Sequence, residues 1–155
     1  MRVRTLNVEM WLPRPIDEVF PFFADAGNLD AITPPWLHFH IVTPRPIDMK
    51  AGALIDYKLR VRGIPITWRT EITHWEPPYR FVDRQLKGPY RQWIHEHTFE
   101  EKDGGTIIRD KIDYAAPGWL LEPIIHGLFV GPDVRKIFAY RQEKIRELLL
   151  APQPA

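Results

Sequence analysis

The dipeptide Asp103-Gly104 separates two segments in which large apolar residues alternate with polar ones, 91–101 and 105–115. Such a dipeptide between alternating segments predicts a two-residue type I′ turn that joins antiparallel strands. A slip of one residue would reverse the buried face of each strand, so the turn fixes the pairing. The predicted pairs all lie on one face: Phe99–Ile108, His97–Asp110, His95–Ile112 and Trp93–Tyr114.

Three further turn signals predict neighbouring hairpins, at Arg62-Gly63, Pro77-Pro78 and Gly88-Pro89. The strands that these turns and the alternating segments predict are 2–12, 36–42, 53–62, 65–76, 79–87, 91–101 and 105–115. Counting about Gly63-Ile64 and about Pro77-Pro78 predicts the pairs Leu59–Trp68, Tyr57–Thr70, Ile55–Ile72, His74–Phe81, Ile72–Asp83 and Thr70–Gln85.

The loop after residue 87 leaves two registers open. A three-residue loop places Asp83 opposite His95, and Gln85 opposite Trp93. A two-residue loop places Arg84 and Val82 at those positions instead.

The helical segments predict how the sheet is covered. Two short helices are expected at 15–23 and 25–32, and a short apolar helix after Pro117 that ends at Gly131. A long helix from Pro132 to Leu150 would run roughly 28 Å, enough to cross a sheet. Its apolar stripe comprises Val134, Ile137, Phe138, Ile145, Leu148 and Leu149. One amphipathic helix against one face of one antiparallel sheet predicts an α+β fold.

The length and composition of the chain limit its domain number, its possible partners and its expected location. The 155 residues suit one domain, predicted at 1–150 with a frayed tail at 151–155. A net charge of +1 gives no electrostatic argument for nucleic acid or an anionic membrane, and the most apolar stretch is too short for an integral membrane segment. Without cysteine or a visible secretory signal, a cytoplasmic location is expected. Protein partners are not indicated.

The sequence resembles the START/Bet v 1-like superfamily, the SRPBCC group, most closely its bacterial ligand-binding and cyclase/dehydrase-like members. The resemblance is clearest in PRPIDEVFPFFADAGNLDAITPPWLHFHI (13–41) and in 63–101. It implies a helix-grip fold, in which a seven-stranded antiparallel sheet curves around the C-terminal helix and leaves a cavity between them. Members bind lipids, polyketides, quinones or hormones. Because they share no common catalytic motif, the resemblance implies a cavity and not a particular reaction.

The predicted concave face is apolar except for a polar cluster of Asp83, Gln85, His95, His97 and Asp110. His97 and Asp110 are expected to be hydrogen-bonded, directly or through one water. The cluster either ties strands together inside a core or orients the polar end of an apolar ligand, and both interpretations remain open. The predicted ligand contacts are Tyr57, Leu59, Trp68, Thr70, Gln85, Trp93, His95, His97, Phe99, Asp110, Tyr114 and Phe138.

Two functions follow from this cluster. The first is binding or carriage of a small hydrophobic or amphiphilic molecule, without cofactor. The alternative is a cyclase- or dehydratase-type enzyme, in which His95 or His97, oriented by Asp83 or Asp110, acts as general acid/base. An interaction module with a vestigial cavity is a third possibility. Two alternate histidines with an aspartate could also hold a metal, but without an HExxH motif no metal is predicted.

Overall fold

A computed structural model describes residues 1–150; the predicted tail at 151–155 lies outside the described residues. The strands are β1 (Arg4–Leu12), β2 (His40–Ile41), β3 (Leu54–Val61), β4 (Ile64–Glu76), β5 (Arg80–Lys87), β6 (Gln92–Lys102) and β7 (Gly105–Ala115). The α-helices are α1 (Ile16–Ala24), α2 (Gly27–Ala31), α3 (Glu122–Ile125) and α4 (Gly131–Leu150). All strands join one antiparallel sheet in the order β1-β7-β6-β5-β4-β3-β2. The predicted helix-grip architecture is therefore confirmed.

The β6–β7 hairpin has the predicted register. Asp103 and Gly104 both have positive φ, 52° and 75°, as a type I′ turn requires. Phe99 lies opposite Ile108, and His97 opposite Asp110. His95 pairs with Ile112 and Trp93 with Tyr114, as predicted. The resulting inner face is buried except at Trp93, which is half-buried.

The β3–β4 hairpin has the predicted faces but a different register. Arg62 and Gly63 themselves form the turn, with φ of 49° and 79°, so Tyr57 lies opposite Trp68 and Leu59 opposite Ile66. The predicted pairing about Gly63-Ile64 is therefore wrong by two residues. Because the period of a strand is two, this error leaves every side chain on its predicted face.

The β4–β5 pairing contains an irregularity that the sequence analysis did not predict. Ile72 lies opposite Asp83 and Thr70 opposite Gln85, as predicted, but the register shifts between Ile72 and His74. Trp75, not His74, therefore lies opposite Phe81, and His74 is exposed. An extra residue in one strand reverses the faces beyond it, which explains why the predicted His74–Phe81 pair is wrong. In the next hairpin Asp83 lies opposite His95, which selects the longer of the two loops considered.

The predicted strand at 36–42 is mostly wrong. Pro35–Leu37 form a 3₁₀ turn, and His38 then adopts a left-handed conformation with φ of 47°. Only two residues, His40 and Ile41, pair with β3. Proline cannot donate a ladder hydrogen bond, and a left-handed residue turns the chain out of the extended region, so both features limit the strand.

The helical C-terminal segment does not break at Gly131, contrary to the prediction. A 3₁₀ turn (Trp119–Leu121), α3 and a widened π-type turn (His126–Val130) lead directly into α4, and Gly131 is helical with φ of −59°. Pro132 lacks an N–H and crowds the carbonyl four residues earlier. The widened turn accommodates this defect without ending the helix.

Helix α4 lies against the concave face of the sheet. Its buried side chains are those of Val134, Phe138, Arg141 and Ile145, whereas Leu148 of the predicted stripe is 40% exposed. Ile145 packs with α1, β1 and the adjoining ends of β6 and β7 in the largest apolar cluster. Within residues 1–150, every helix is too short or too polar to cross a membrane.

Candidate functional site

A cavity of about 590 Å³ lies between α4 and the concave face of the sheet. Its sheet wall includes Tyr57, Leu59, Trp68 and Trp93, and its helix wall includes Phe138. These side chains make most of the lining apolar, which is typical of a small-molecule site of this size.

Exposed residues mark where the cavity opens. Trp36, Arg62 and Lys136 line the cavity and are exposed to solvent. The ammonium group of Lys136 lies 4.5 Å from the centre of the Trp36 ring. This rim is therefore aromatic and cationic.

An aromatic wall forms the apolar side. Tyr57 stacks on Trp68 with ring centres 5.9 Å apart, and Trp93 meets Trp68 edge-on at 5.6 Å. The Trp68 indole N–H donates to Thr70 Oγ1 at 3.0 Å, and the Tyr57 hydroxyl lies 2.7 Å from the same oxygen. Burial raises the pKa of Tyr57 well above its ordinary value, so the phenol stays protonated. The polar atoms of this wall thus bind one another.

The polar end of the cavity holds two stacked histidines. The rings of His95 and His97 lie 3.6 Å apart. His95 Nε2 lies 2.7 Å from Asp110 Oδ1, and His97 Nε2 lies 2.7 Å from Asp83 Oδ2. An ionised carboxylate can only accept, so in each pair the imidazole Nε2–H donates.

The direct hydrogen bond predicted between His97 and Asp110 is not formed, although the two residues are directly opposed and face inward as predicted. His97 Nδ1 lies 3.4 Å from Asp110 Oδ1 but makes no hydrogen bond. Each imidazole instead binds the carboxylate diagonal to it, since Asp83 lies opposite His95. Diagonal cross-strand neighbours are within reach of long side chains. Backbone register alone therefore could not identify the partners.

Arg141 of α4 belongs to the same cluster and was missed by the sequence analysis. It is 7% exposed, and its Nη2 lies 3.6 Å from Asp110 Oδ1. Its Nε has no hydrogen-bond partner among the described residues. The signal was its spacing from Phe138 and Ile145, which places an arginine in the inward stripe of the helix.

Burial and charge shift the pKa values of this cluster. Burial raises the pKa of Asp110, but the charge of Arg141 and the His95 hydrogen bond outweigh it and hold the pKa well below its ordinary value. For Asp83 burial is likewise outweighed, mainly by the His97 hydrogen bond. Burial and the charge of His95 lower the pKa of His97 to about 4, despite the opposing effect of Asp83. Both carboxylates are therefore ionised at pH 7, and His97 is neutral.

The cluster has no spare positive charge. Two carboxylates face one guanidinium, so one protonated imidazole would only bring the group to neutrality. An anion entering this end would add a charge that none of these groups balances.

The structure brings most of the predicted ligand contacts to the cavity. Tyr57, Leu59, Trp68, Thr70, Trp93, His95, His97 and Phe138 line it, as does the catalytic candidate Asp83. The remaining predicted contacts, Gln85, Phe99, Asp110 and Tyr114, lie elsewhere.

Each of these four residues is held by another partner. Phe99 packs against Phe20 and Phe23 in the core. The side-chain amide of Gln85 bonds both backbone groups of Tyr90 and so fixes the β5–β6 loop. Asp110 is buried beside His95, and the Tyr114 hydroxyl lies 2.8 Å from His126 Nε2. They face inward as predicted, but packing and hydrogen bonds separate them from the cavity.

Asp83, His95 and His97 offer potential metal-ligating atoms within 4.8 Å of one another. An imidazole binds a metal through a lone pair in the plane of its ring. Because the two rings stack at 3.6 Å with 24° between their planes, one ion cannot lie in both planes at a bonding distance of about 2.0 Å. The arrangement suits hydrogen bonding better than metal ligation.

A family of known proteins matches most of the chain. Residues 12–137 match the family model described as polyketide cyclase / dehydrase and lipid transport. No curated protein matches the sequence.

Solved structures of the same fold are similar over nearly the whole chain. Protein TTHA0849 from Thermus thermophilus is 16% identical, with a TM-score of 0.71 and coverage of 95% of this chain and 97% of that one. The major latex-like protein 151 from Panax ginseng is 12% identical, with a TM-score of 0.69 and coverage of 96% and 99%. A nucleoside-diphosphate sugar epimerase from Corynebacterium glutamicum is 25% identical, with a TM-score of 0.66, over 92% of this chain but only 28% of that one. The chain therefore belongs to the polyketide cyclase/dehydrase and lipid transport family and has the START/Bet v 1-like fold.

Proposed function

We propose that the chain binds one small amphiphilic molecule whose body is apolar and whose polar end is uncharged. The observation that carries this proposal is a cavity of about 590 Å³, mostly apolar, with its buried carboxylate and imidazole groups concentrated in one cluster. Apolar walls supply affinity, and a few fixed polar groups orient the ligand. Lipids, isoprenoids and polyketides have this chemistry.

The charge of the cluster argues for the uncharged polar end. A fatty acid carboxylate would approach Asp83 at a cavity end where Arg141, the permanent cation that residues 1–150 place there, already faces Asp110. A carbonyl or hydroxyl oxygen adds no charge to this end of the cavity. Alcohols, ketones and quinones should therefore bind more tightly than acids of equal length.

Ligand titration tests the proposal. Trp68 and Trp93 line the cavity, so a bound ligand should change tryptophan fluorescence. Dodecan-1-ol, dodecan-2-one and dodecanoate form a matched set, and a naphthoquinone extends it to aromatic compounds. We expect saturable binding of one molecule per chain, checked by native mass spectrometry, with the alcohol and ketone preferred.

A matched pair of variants locates the binding. Leu59→Trp should fill the cavity and abolish binding, whereas Leu54→Trp, on the exposed face of β3, should leave it unchanged. If no compound of a broad panel saturates the protein, ligand binding fails and the interaction module with a vestigial cavity is favoured.

A second candidate function is a cofactor-free cyclase- or dehydratase-type reaction. It is supported by His97, whose Nε2 donates to Asp83 while its Nδ1 has no hydrogen-bond partner among the described residues. A neutral imidazole held in this way keeps a lone pair on Nδ1; that atom is buried, so it would accept a proton only from a ligand that moves the ring or reaches past it. His97→Gln should then bind the ligand and lose turnover. If the variant loses stability but keeps both binding and turnover, the role of His97 is only to link neighbouring strands of the core.

A further inference from the structure

Six large apolar side chains are exposed within an eleven-residue stretch that precedes α4. They form what we call the apolar ridge: Trp119, Leu120, Leu121, Ile124, Leu128 and Phe129. Their exposed fractions range from 43% for Phe129 to 77% for Trp119. Single exposed apolar residues are ordinary, but a continuous set of this kind marks an interaction surface.

The apolar ridge belongs to a segment that also borders the cavity. Pro117 and Val130, at the two ends of the ridge, line the cavity, as does Asp133 one turn further along. The Arg62 guanidinium, at the rim of the opening, lies 4.8 Å from the centre of the Phe129 ring. One side of this segment therefore faces the cavity while the other exposes apolar side chains beside its opening.

The acidic groups of this segment are neutralised. Between residues 117 and 136 the acidic residues are Glu122 and Asp133. Glu122 is buried in an ion pair with Arg4. Asp133 accepts two hydrogen bonds from Arg62, at 2.9 and 3.0 Å.

Three cationic side chains beside the ridge have no acidic partner among the described residues. Arg135 and Lys136 are exposed on the first turns of α4, and Arg2 is exposed at the N-terminus. Besides burial, the charges of Arg2 and Arg135 both lower the pKa of His126, so both side chains lie near the ridge segment that contains this histidine. None of these three cations has an ion-pair partner among residues 1–150. The surface thus combines exposed apolar side chains with unpaired positive charge.

We propose that the apolar ridge inserts into the interface of a lipid bilayer that contains anionic lipids, with Arg2, Arg135 and Lys136 near the headgroups. An amphipathic surface with aromatic, leucine and basic residues suits such an interface. A symmetric contact between two copies is less favourable, because each copy would bring the same cations to the interface. Docking in this way places the cavity opening beside the membrane, whichever molecule the cavity binds.

Vesicle co-sedimentation tests the proposal. The probes are vesicles of phosphatidylcholine alone and of phosphatidylcholine with 30 mol% phosphatidylglycerol. We expect the wild-type chain to bind the anionic vesicles and to be released when NaCl is raised from 50 to 500 mM. Leu120→Ser/Ile124→Ser/Leu128→Ser should weaken binding by more than about tenfold, because three apolar side chains leave the interface. Arg135→Gln should weaken it by about fivefold.

Leu54→Ser is the matched control, because it also removes an exposed apolar side chain but lies on the outer face of the sheet. It should bind like the wild type. Equal binding of the wild type and the triple variant would refute the proposal, as would a wild type that ignores anionic vesicles. Light scattering that shows a wild-type dimer and a monomeric triple variant would assign the ridge to a second copy instead. The salt-release measurement requires no variant, so the proposal stays testable if a variant misfolds.

Discussion

Acidification should destabilise the fold through His97, in a pH range where the carboxylates of the cluster do not titrate. Burial and the charge of His95 lower the pKa of His97 from 6.5 to about 4. Between these values the unfolded chain binds a proton that the folded chain does not. Stability is therefore complete above pH 6.5 and falls as the pH falls toward 4. At roughly 1.4 kcal/mol for each pH unit, the loss amounts to about 3 kcal/mol.

Urea unfolding followed by circular dichroism at pH 7, 6, 5 and 4.5 measures this loss. The comparison is between the wild type and His97→Gln, which removes the titrating group. The difference in unfolding free energy between them should shrink as the pH falls. His38→Gln changes an exposed histidine and should parallel the wild type. Because the pKa values of Asp83 and Asp110 are lowered, their contributions are lost only below about pH 4 and do not overlap this range.

The opposite slope would refute the reasoning. His97 also lies between two carboxylates, which favour its charged form. If they outweighed burial, the pKa would be raised, and the wild type would gain stability over His97→Gln as the pH falls from 7. The sign of the slope thus decides whether burial or charge dominates.

Three further predictions concern stability and composition. Asp110→Ala should lower the unfolding free energy by about 3 kcal/mol, because His95 loses a buried acceptor and Arg141 loses its buried charge partner. Asp110→Leu combined with Arg141→Met should cost less than the sum of the single changes in urea unfolding. Gly105→Ala should cost about 1–3 kcal/mol, because a Cβ there meets a backbone carbonyl of β1, whereas Gly127→Ala meets open space and should leave the melting temperature unchanged or higher. Elemental analysis after mild purification should find no stoichiometric transition metal, and EDTA should not alter the melting temperature; one zinc per chain would contradict the stacked geometry.

The residues of one turn predicted the part of the site that lies on the two strands joined by that turn. Asp103-Gly104 fixed the register of β6 and β7, and with it the inward orientation of His95, His97 and Asp110. The error of two residues in the β3–β4 hairpin was harmless, because faces depend only on parity. Turn residues therefore predict the faces of a hairpin whose pairing contains no bulge, as in β3–β4 and β6–β7.

Other features depend on contacts between distant segments. The irregularity in β4 inverts the faces of His74 and Trp75, and no turn residue signals it. Arg141 is 31 residues from Asp110 in the sequence, and only the packing of α4 on the sheet brings them together. Each histidine binds the carboxylate diagonal to it and not the one opposite. This choice depends on side-chain conformation, which the alternation of apolar and polar residues in the sequence does not encode.

The cluster joins four elements, since Asp83 lies on β5, the histidines on β6, Asp110 on β7 and Arg141 on α4. This arrangement makes the two ends of the cavity unequal as targets for redesign. Along the aromatic wall, a change such as Leu59→Met alters shape alone and can be made one position at a time. At the polar end, a single substitution leaves a buried charge on a neighbouring element without its partner. New specificity there therefore requires paired changes. Selection for new ligands should therefore accumulate changes first along the wall.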